Sequence, residues 1–198
     1  MTMFVTFGHR KRVGKDTAGR LLRSHLRLHK KGSDVQTHGF ADKLKNVTHD
    51  IYGWAGLQSK DYYDDHPEER EIVLPKLGMS PREIWIKFAT LVAREVYPTT
   101  WIDYVLNTVF CDVCIITDLR FPNEADLIHD AGGVVYKIER DGGNRSEEAI
   151  EEGVNDIADD PMEGYNGWDA VITNNGSLKE FNDKIVKIAE AIILQIKD

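Results

Sequence analysis

One ten-residue stretch limits what this chain can become. Gly8-His9-Arg10-Lys11-Arg12-Val13-Gly14-Lys15-Asp16-Thr17 joins a short apolar, β-prone run, Thr2 to Phe7, to an amphipathic helix. In that helix Ala18, Leu21, Leu22, Leu26 and His29 recur at helical spacing, and the pattern ends near Gly32. The phosphate-binding (Walker A) pattern asks for Gly, four residues, Gly, Lys, then Ser or Thr. Its backbone N–H groups form a nest for a phosphate. The helix N-terminus adds partial positive charge, and the lysine reaches the β- and γ-oxygens. The chain departs from this pattern twice. Counting back from Gly14 puts His9 at the first Gly position, with Gly8 one step earlier, and Asp16 stands where Ser or Thr is usual, with Thr17 next.

Both departures have physical readings. Histidine tolerates left-handed backbone better than most side chains, and Thr17 stays close enough to offer a hydroxyl to phosphate or Mg²⁺. A carboxylate at Asp16 repels phosphates unless a cation lies between them, which points to a direct or water-bridged magnesium contact. The competing reading is a Gly-rich turn followed by an Asp that favours the helix N-terminus electrostatically. On the first reading Arg10, Arg12, Val13, Gly14, Lys15, Asp16 and Thr17 hold bound phosphate, with Lys15 as its central cation.

Beyond the loop, strands and helices alternate. Val35 to Phe40 reads as a second strand and Ala41 to Tyr52 as a helix; Gly53 to Gly78 is polar, carries Pro67 and many acids, and reads as an irregular insertion. Ser80-Pro81-Arg82-Glu83 is a helix start, with Ser at the N-cap, Pro at the first helical position and Glu two residues later. The helix it opens is expected to run to Val96, where Pro98 stops it. Val113 to Thr117 is a β-branched run of the kind buried on both faces of a parallel sheet. A helix over Phe121 to Asp130, a strand over Val134 to Ile138, a polar acidic stretch from Arg140 to Gly167, a strand over Ala170 to Thr173 and a helix over Leu178 to Ile196 complete the order. This alternation predicts an α/β three-layer fold with a parallel sheet. The 198 residues fit one domain with a small inserted part.

Composition narrows the chemistry. A net charge of −8 argues against a surface that tracks nucleic acid along its length, while the N-terminal segment from Arg10 to Lys31 is crowded with cations. That contrast suits a local anion site in an acidic protein. Cys111 and Cys114 form a lone C-x-x-C without the further ligands a zinc site needs, and it leads into an apolar run, so packing in a reducing cytosol is the expectation. No apolar stretch approaches the length of a membrane span. His25 and His29 share a helix face at i, i+4 and read as solvated among Arg23, Arg27 and Lys30.

Five segments, in this order, carry a resemblance to a known family. The run His9 to Thr17 resembles the phosphate loop of bacteriophage deoxynucleoside monophosphate kinases. Gly39-Phe40-Ala41-Asp42-Lys43-Leu44-Lys45, Ser80-Pro81-Arg82-Glu83, Thr117-Asp118-Leu119-Arg120-Phe121-Pro122-Asn123-Glu124 and Ile172-Thr173-Asn174-Asn175-Gly176-Ser177-Leu178 are similar to that family in turn. The resemblance spans nearly the whole chain, with 52–79 and 147–164 least covered. It implies a P-loop NTPase fold with an acceptor-binding insertion at about 40–97 and a lid at about 140–167. It further implies ATP and Mg²⁺ as cofactors, a deoxynucleoside monophosphate as acceptor, and the host cytoplasm as location if phage-encoded. Partners are then nucleotides, without stable nucleic-acid or membrane binding, and a homodimer is compatible.

The same resemblance gives residues their expected parts. Asp118, at the carboxyl end of the Val113–Thr117 strand, holds magnesium or contacts the acceptor, or else caps the next helix. Arg120 meets acceptor phosphate or transition-state charge. Phe40 lies against the acceptor's base or sugar, with a core phenylalanine as the alternative, and Lys43 on its phosphate. Arg82 and Arg94 present to a phosphate from one helix. Asn174 and Asn175 border the adenine, or form a plain turn. Arg140 and Arg145 open the lid and reach the transferring group. The rivals are a P-loop kinase of another phosphorylated acceptor, such as dephospho-coenzyme A or phosphomevalonate, and a non-catalytic nucleic-acid-binding module.

Overall fold

The computed structural model describes residues 2–10, 12–141 and 161–196. Along the chain these form β1 (Met3–Gly8), α1 (Lys15–His29), β2 (Val35–His38), α2 (Phe40–Tyr52), α3 (Lys60–Asp65), α4 (Pro81–Lys87), α5 (Arg94–Val96) and α6 (Thr100–Thr108). There follow β3 (Val113–Leu119), α7 (Pro122–Asp130), β4 (Val134–Glu139), β5 (Ala170–Thr173) and α8 (Leu178–Gln195). The chain divides into two compact units, one made of Met1–His38 with Thr108–Asp198 and the other of Gly39–Asn107.

The first unit is an α/β sandwich. Its 5-stranded sheet has the order β2-β3-β1-β4-β5, and every neighbouring pair is parallel. β1 and β3 sit in its middle, which is why Phe4 to Phe7 and Val113 to Ile116 are buried without alternation. On one face Ala18, Leu22 and Leu26 of α1 and Phe181, Ile185, Ala189 and Ile192 of α8 form a single core with Val5, Phe7 and Ile115. Burying a leucine as fully as Leu22 or Leu26 contributes about 1.5–3 kcal/mol. On the other face α7 buries Ala125 and Ile128 near Phe4 and Gly133, giving three layers. α1 lies close on β3: a Cβ at Gly19 would stand 2.5 Å from Cγ2 of Thr117.

The β1–β3 register slips at one point. Thr6 pairs with Ile116 but Gly8 with Leu119, so Phe7 faces both Thr117 and Asp118. One extra residue on β3 therefore re-aims the side chains at the end of the strand. The strand runs to Leu119, two residues beyond the expected end at Thr117, so Asp118 lies within it.

The second unit departs further from the sequence reading. Phe40 begins α2 and does not close β2, because Gly39 is its N-cap and the Asp42 carboxylate accepts from the Gly39 N–H at 2.9 Å. The region expected to be irregular, Gly53 to Gly78, contains α3, two 3₁₀ turns (Gly53–Ala55 and Pro67–Glu71) and an antiparallel bridge from Leu74 to Met79. Its order comes from polar side chains, which a search for apolar periodicity does not see. Ser59 caps α3, Lys60 pairs with Asp64 at 3.0 Å, Tyr62 donates to Glu69 at 2.8 Å, and Arg70 donates to the Tyr63 carbonyl and to Asp64. The Ser80 capping box forms as expected, with Ser80 N–H on the Glu83 carboxylate at 2.8 Å. The helix it opens is not a single α-helix to Val96: Phe88–Ala93 winds as a π-helix. α6 was not expected, and it buries Trp101, Ile102 and Val105.

Candidate functional site

The loop between β1 and α1 is built on left-handed backbone. His9 has φ 93°, Arg12 φ 59° and Gly14 φ 108°. Left-handed conformations in two residues other than glycine cost of order 1–3 kcal/mol each and persist only where the surroundings hold them. Here the supports are identifiable. Gly8 fits under the Leu119 and Trp168 side chains, where a Cβ would come within 2.8 and 2.9 Å of them. The His9 ring meets Trp168 edge-on at 6.5 Å, and its Nδ1 lies 3.2 Å from the Ile138 carbonyl. Burial and the neighbouring Lys137 lower the His9 pKa from its ordinary 6.5. Val13 is buried in the core, and its carbonyl accepts from the Asn174 side chain at 2.9 Å. The Lys15 ammonium donates to the His9 carbonyl at 2.9 Å and to the Arg10 carbonyl, so the loop curls around this cation.

In front of the loop is an open cavity of about 430 Å³. Arg12, Lys15 and Arg140 bring positive charge to its wall. Gly14, Asp16 and Thr17 form the start of α1 there, and Asn174, Gly176, Leu178 and Phe181 border it from the β5–α8 connection. A concave surface with cations converging on a helix N-terminus is suited to polyanionic phosphate.

Around this cavity the candidate residues separate. Asp16 accepts a hydrogen bond from Thr117 Oγ1 at 2.8 Å, which ties the first turn of α1 to the end of β3. Asp118 is not among the cavity's lining residues, and its charge helps to raise the Cys114 thiol. Arg120 is exposed, and its backbone N–H donates to the buried Glu124 carboxylate at 3.0 Å. Arg10 lies 3.9 Å from Glu163. Asn174 braces the loop through Val13. Asn175 clasps Asp141, accepting its N–H at 2.7 Å and donating to its carboxylate at 2.6 Å, immediately after Arg140. The two asparagines are thus occupied with protein groups beside the expected adenine border. Arg145 and most of the expected lid lie outside the described residues. The end of that segment, 161–167, is fastened down: Met162 is buried, and Tyr165 donates to Asp126 at 3.0 Å while its ring packs on Trp168.

The acceptor candidates of the second unit are arranged as follows. Phe40 is buried. Lys43 is exposed, with its ammonium 5.4 Å from the Tyr104 ring centre. Arg82 pairs with Glu71 at 3.1 Å. An unbroken α-helix advances about 100° per residue, so the 12 positions from Arg82 to Arg94 would leave them roughly 120° apart. Part of the stretch between them, Phe88–Ala93, is a π-helix, so the α-helical period does not hold across it.

Thr117, Trp168 and Phe181 receive no part at the site in the sequence reading. Thr117 carries a signal, a hydroxyl at the carboxyl end of a buried strand, beside the more conspicuous carboxylate of Asp118. His25 bonds Asn182 at 3.0 Å and stacks on His29, and among the described residues no group of three or more His, Cys, Asp or Glu gathers as metal ligands. Cys111 and Cys114 are free thiols, pushed up to about 11 and about 12, first of all by burial. No helix among the described residues is long and apolar enough to cross a membrane.

Comparison with known proteins gives partial likenesses. No family model matches the chain. A curated protein of Acanthamoeba polyphaga mimivirus, provisionally named a deoxynucleotide monophosphate kinase, is 30% identical over 76 residues. That stretch is 38% of this chain and 36% of the relative, so the match spans little more than a third of the relative's length. Among solved structures, shikimate kinase from Aquifex aeolicus aligns over 97% of this chain and 99% of its own, with 13% identity and a TM-score of 0.49. Dephospho-CoA kinase from Campylobacter jejuni aligns over 96% and 97%, with 14% identity and a TM-score of 0.43. Thymidylate kinase from Ehrlichia chaffeensis aligns over 94% and 98%, with 13% identity and a TM-score of 0.41. All three scores fall below one half.

Proposed function

We propose that the protein transfers the γ-phosphoryl group of ATP to a deoxynucleoside monophosphate, giving a deoxynucleoside diphosphate and ADP. The observation that carries the proposal is the left-handed loop curled around Lys15 at the mouth of the cationic cavity. Such a loop suits phosphate and no common neutral ligand. The mimivirus relative's name supports the nucleotide acceptor.

Lys15 and the loop amides hold the β- and γ-phosphates, with Arg12 and Arg10 nearby. Arg140 neutralises charge on the transferring group, a part in which Arg145 and Arg120 join it. The residues present fit magnesium: Asp16 and Thr17 offer oxygen donors at the cavity, as this hard cation requires. A single carboxylate with few protein ligands also suits an ion carried mainly by substrate phosphates. When bound, Mg²⁺ would neutralise phosphate charge. Arg82, Arg94 and Lys43 take the acceptor phosphate. No general base is needed, because a nucleotide phosphate oxygen is already a nucleophile.

The test is ADP release, measured by a coupled assay, with ATP and Mg²⁺ and each common dNMP and NMP. Dephospho-coenzyme A and phosphomevalonate serve as competing acceptors. Release with one or more dNMPs is expected. Release only with another acceptor overturns the choice of acceptor. Salt-sensitive DNA binding without any ATP turnover overturns the kinase reading.

A further inference from the structure

The pair formed by Asp16 and Thr117 joins two places where phosphoryl-transfer proteins with such loops hold their magnesium. There a loop Ser or Thr supplies a hydroxyl, and an acidic residue on a neighbouring strand supplies a carboxylate. In this chain the types are exchanged. The carboxylate, Asp16, follows the loop lysine, and the hydroxyl, Thr117, stands on β3. They meet at 2.8 Å across 101 positions of sequence, Thr117 donating and Asp16 accepting.

We infer that Thr117 is a positioning residue, which aims the Asp16 carboxylate at the divalent cation accompanying the nucleotide phosphates. The inference rests on the phosphate-loop reading above. Three observations converge on it. Asp16 is exposed and lines the cavity together with Lys15, so its charge is available to a ligand there. A carboxylate has two oxygens, and the hydroxyl of Thr117 engages Oδ1, leaving the other oxygen for a cation. Thr117 itself is held in place: its Cγ2 fills the space where a Cβ on Gly19 would stand, and the β-bulge opposite Phe7 sets its direction. A donor fixed by packing on both sides orients a flexible carboxylate at little entropic cost. Outer-shell hydrogen bonds of this kind alter metal affinity by about 10–100-fold.

The inference also reassigns a role. Asp118, the carboxylate that a sequence reading selects, does not line the cavity, whereas the residue before it bonds to one that does.

The test is nucleotide binding without turnover. A fluorescent ADP analogue is titrated into wild type, Thr117→Val, Thr117→Ser and Asp16→Asn, in EDTA and then over a range of Mn²⁺ and Mg²⁺. In Thr117→Val the Mn²⁺ concentration for half-maximal enhancement should rise about tenfold, with affinity in EDTA within about twofold of wild type. Thr117→Ser should restore the enhancement, and Asp16→Asn should lose it. Valine keeps the methyl against Gly19; should Thr117→Val not fold, Thr117→Ala replaces it. An unchanged metal response in the hydroxyl-less variant overturns the inference, as does an equal loss of affinity in EDTA. Wild type that binds the nucleotide without any gain from metal overturns it too, while leaving the phosphate loop standing. Wild type that binds no nucleotide under either condition overturns the phosphate-loop reading itself.

Discussion

The Asn174 side-chain amide donates a hydrogen bond to the Val13 carbonyl at 2.9 Å, across 161 positions of sequence. Its nitrogen also occupies the space beside Gly14, where a Cβ would come within 2.5 Å. Asn174, just after β5, thereby braces the phosphate loop beside a residue whose φ of 108° requires glycine. Gly14→Ala should therefore cost roughly 1–3 kcal/mol, and lower the melting temperature by about 2–4 °C per kcal/mol. Asn174→Ala should cost about 1 kcal/mol and weaken nucleotide binding with little change in kcat. Thermal melts and nucleotide titrations check both.

Lys15→Ala should leave the fold intact by circular dichroism and reduce turnover at least about 10³-fold. The ammonium bonds to loop carbonyls at the cavity mouth, where water can replace it. A variant turning over at the wild-type rate would falsify the assignment.

Arg140 borders the cavity, and the next residue is clasped by Asn175. Arg140→Ala should lower kcat by about 10²-fold, and Asn175→Ala by less, since its effect is routed through Arg140. In the double variant the two losses should not add. Additive losses would mean that Asn175 acts elsewhere.

His9 gives a signed pH dependence. Its folded-state pKa lies below the ordinary 6.5, so the unfolded chain takes up the proton first. Its contribution is complete above about pH 6.5 and is lost as pH falls from there through the folded value. His9→Asn, which tolerates the left-handed backbone, removes that titration. The melting-temperature advantage of wild type over His9→Asn should shrink between pH 7.5 and 5.5, values chosen to bracket the ordinary histidine range of about 6.5. A constant difference would show that His9 does not contribute in this way.

Much of the first unit was legible in the sequence because its signals are local. The run Val113–Ile116 is apolar enough to mean a buried central strand, and Ala170–Thr173 was located to the residue. Leu22 and Leu26 announced the inward face of α1, and in the second unit Ser80 with Glu83 announced a helix start. The Gly14-Lys15 junction between strand and helix drew attention to the phosphate loop. Each of these depends on residues within one or two turns of each other, so the order of the chain carries the information.

Only the tertiary structure decided what depends on distant partners. The order of α3 rests on ion pairs and caps within a polar stretch that has no apolar period to detect. The π-helical turn between Arg82 and Arg94 leaves no periodic mark. That Thr117 meets Asp16 follows a bulge in the pairing of β1 with β3 at this point of the strand. A single extra residue in a strand changes which side chain faces α1, and that register is fixed by pairing between segments more than a hundred residues apart, not by the composition of either.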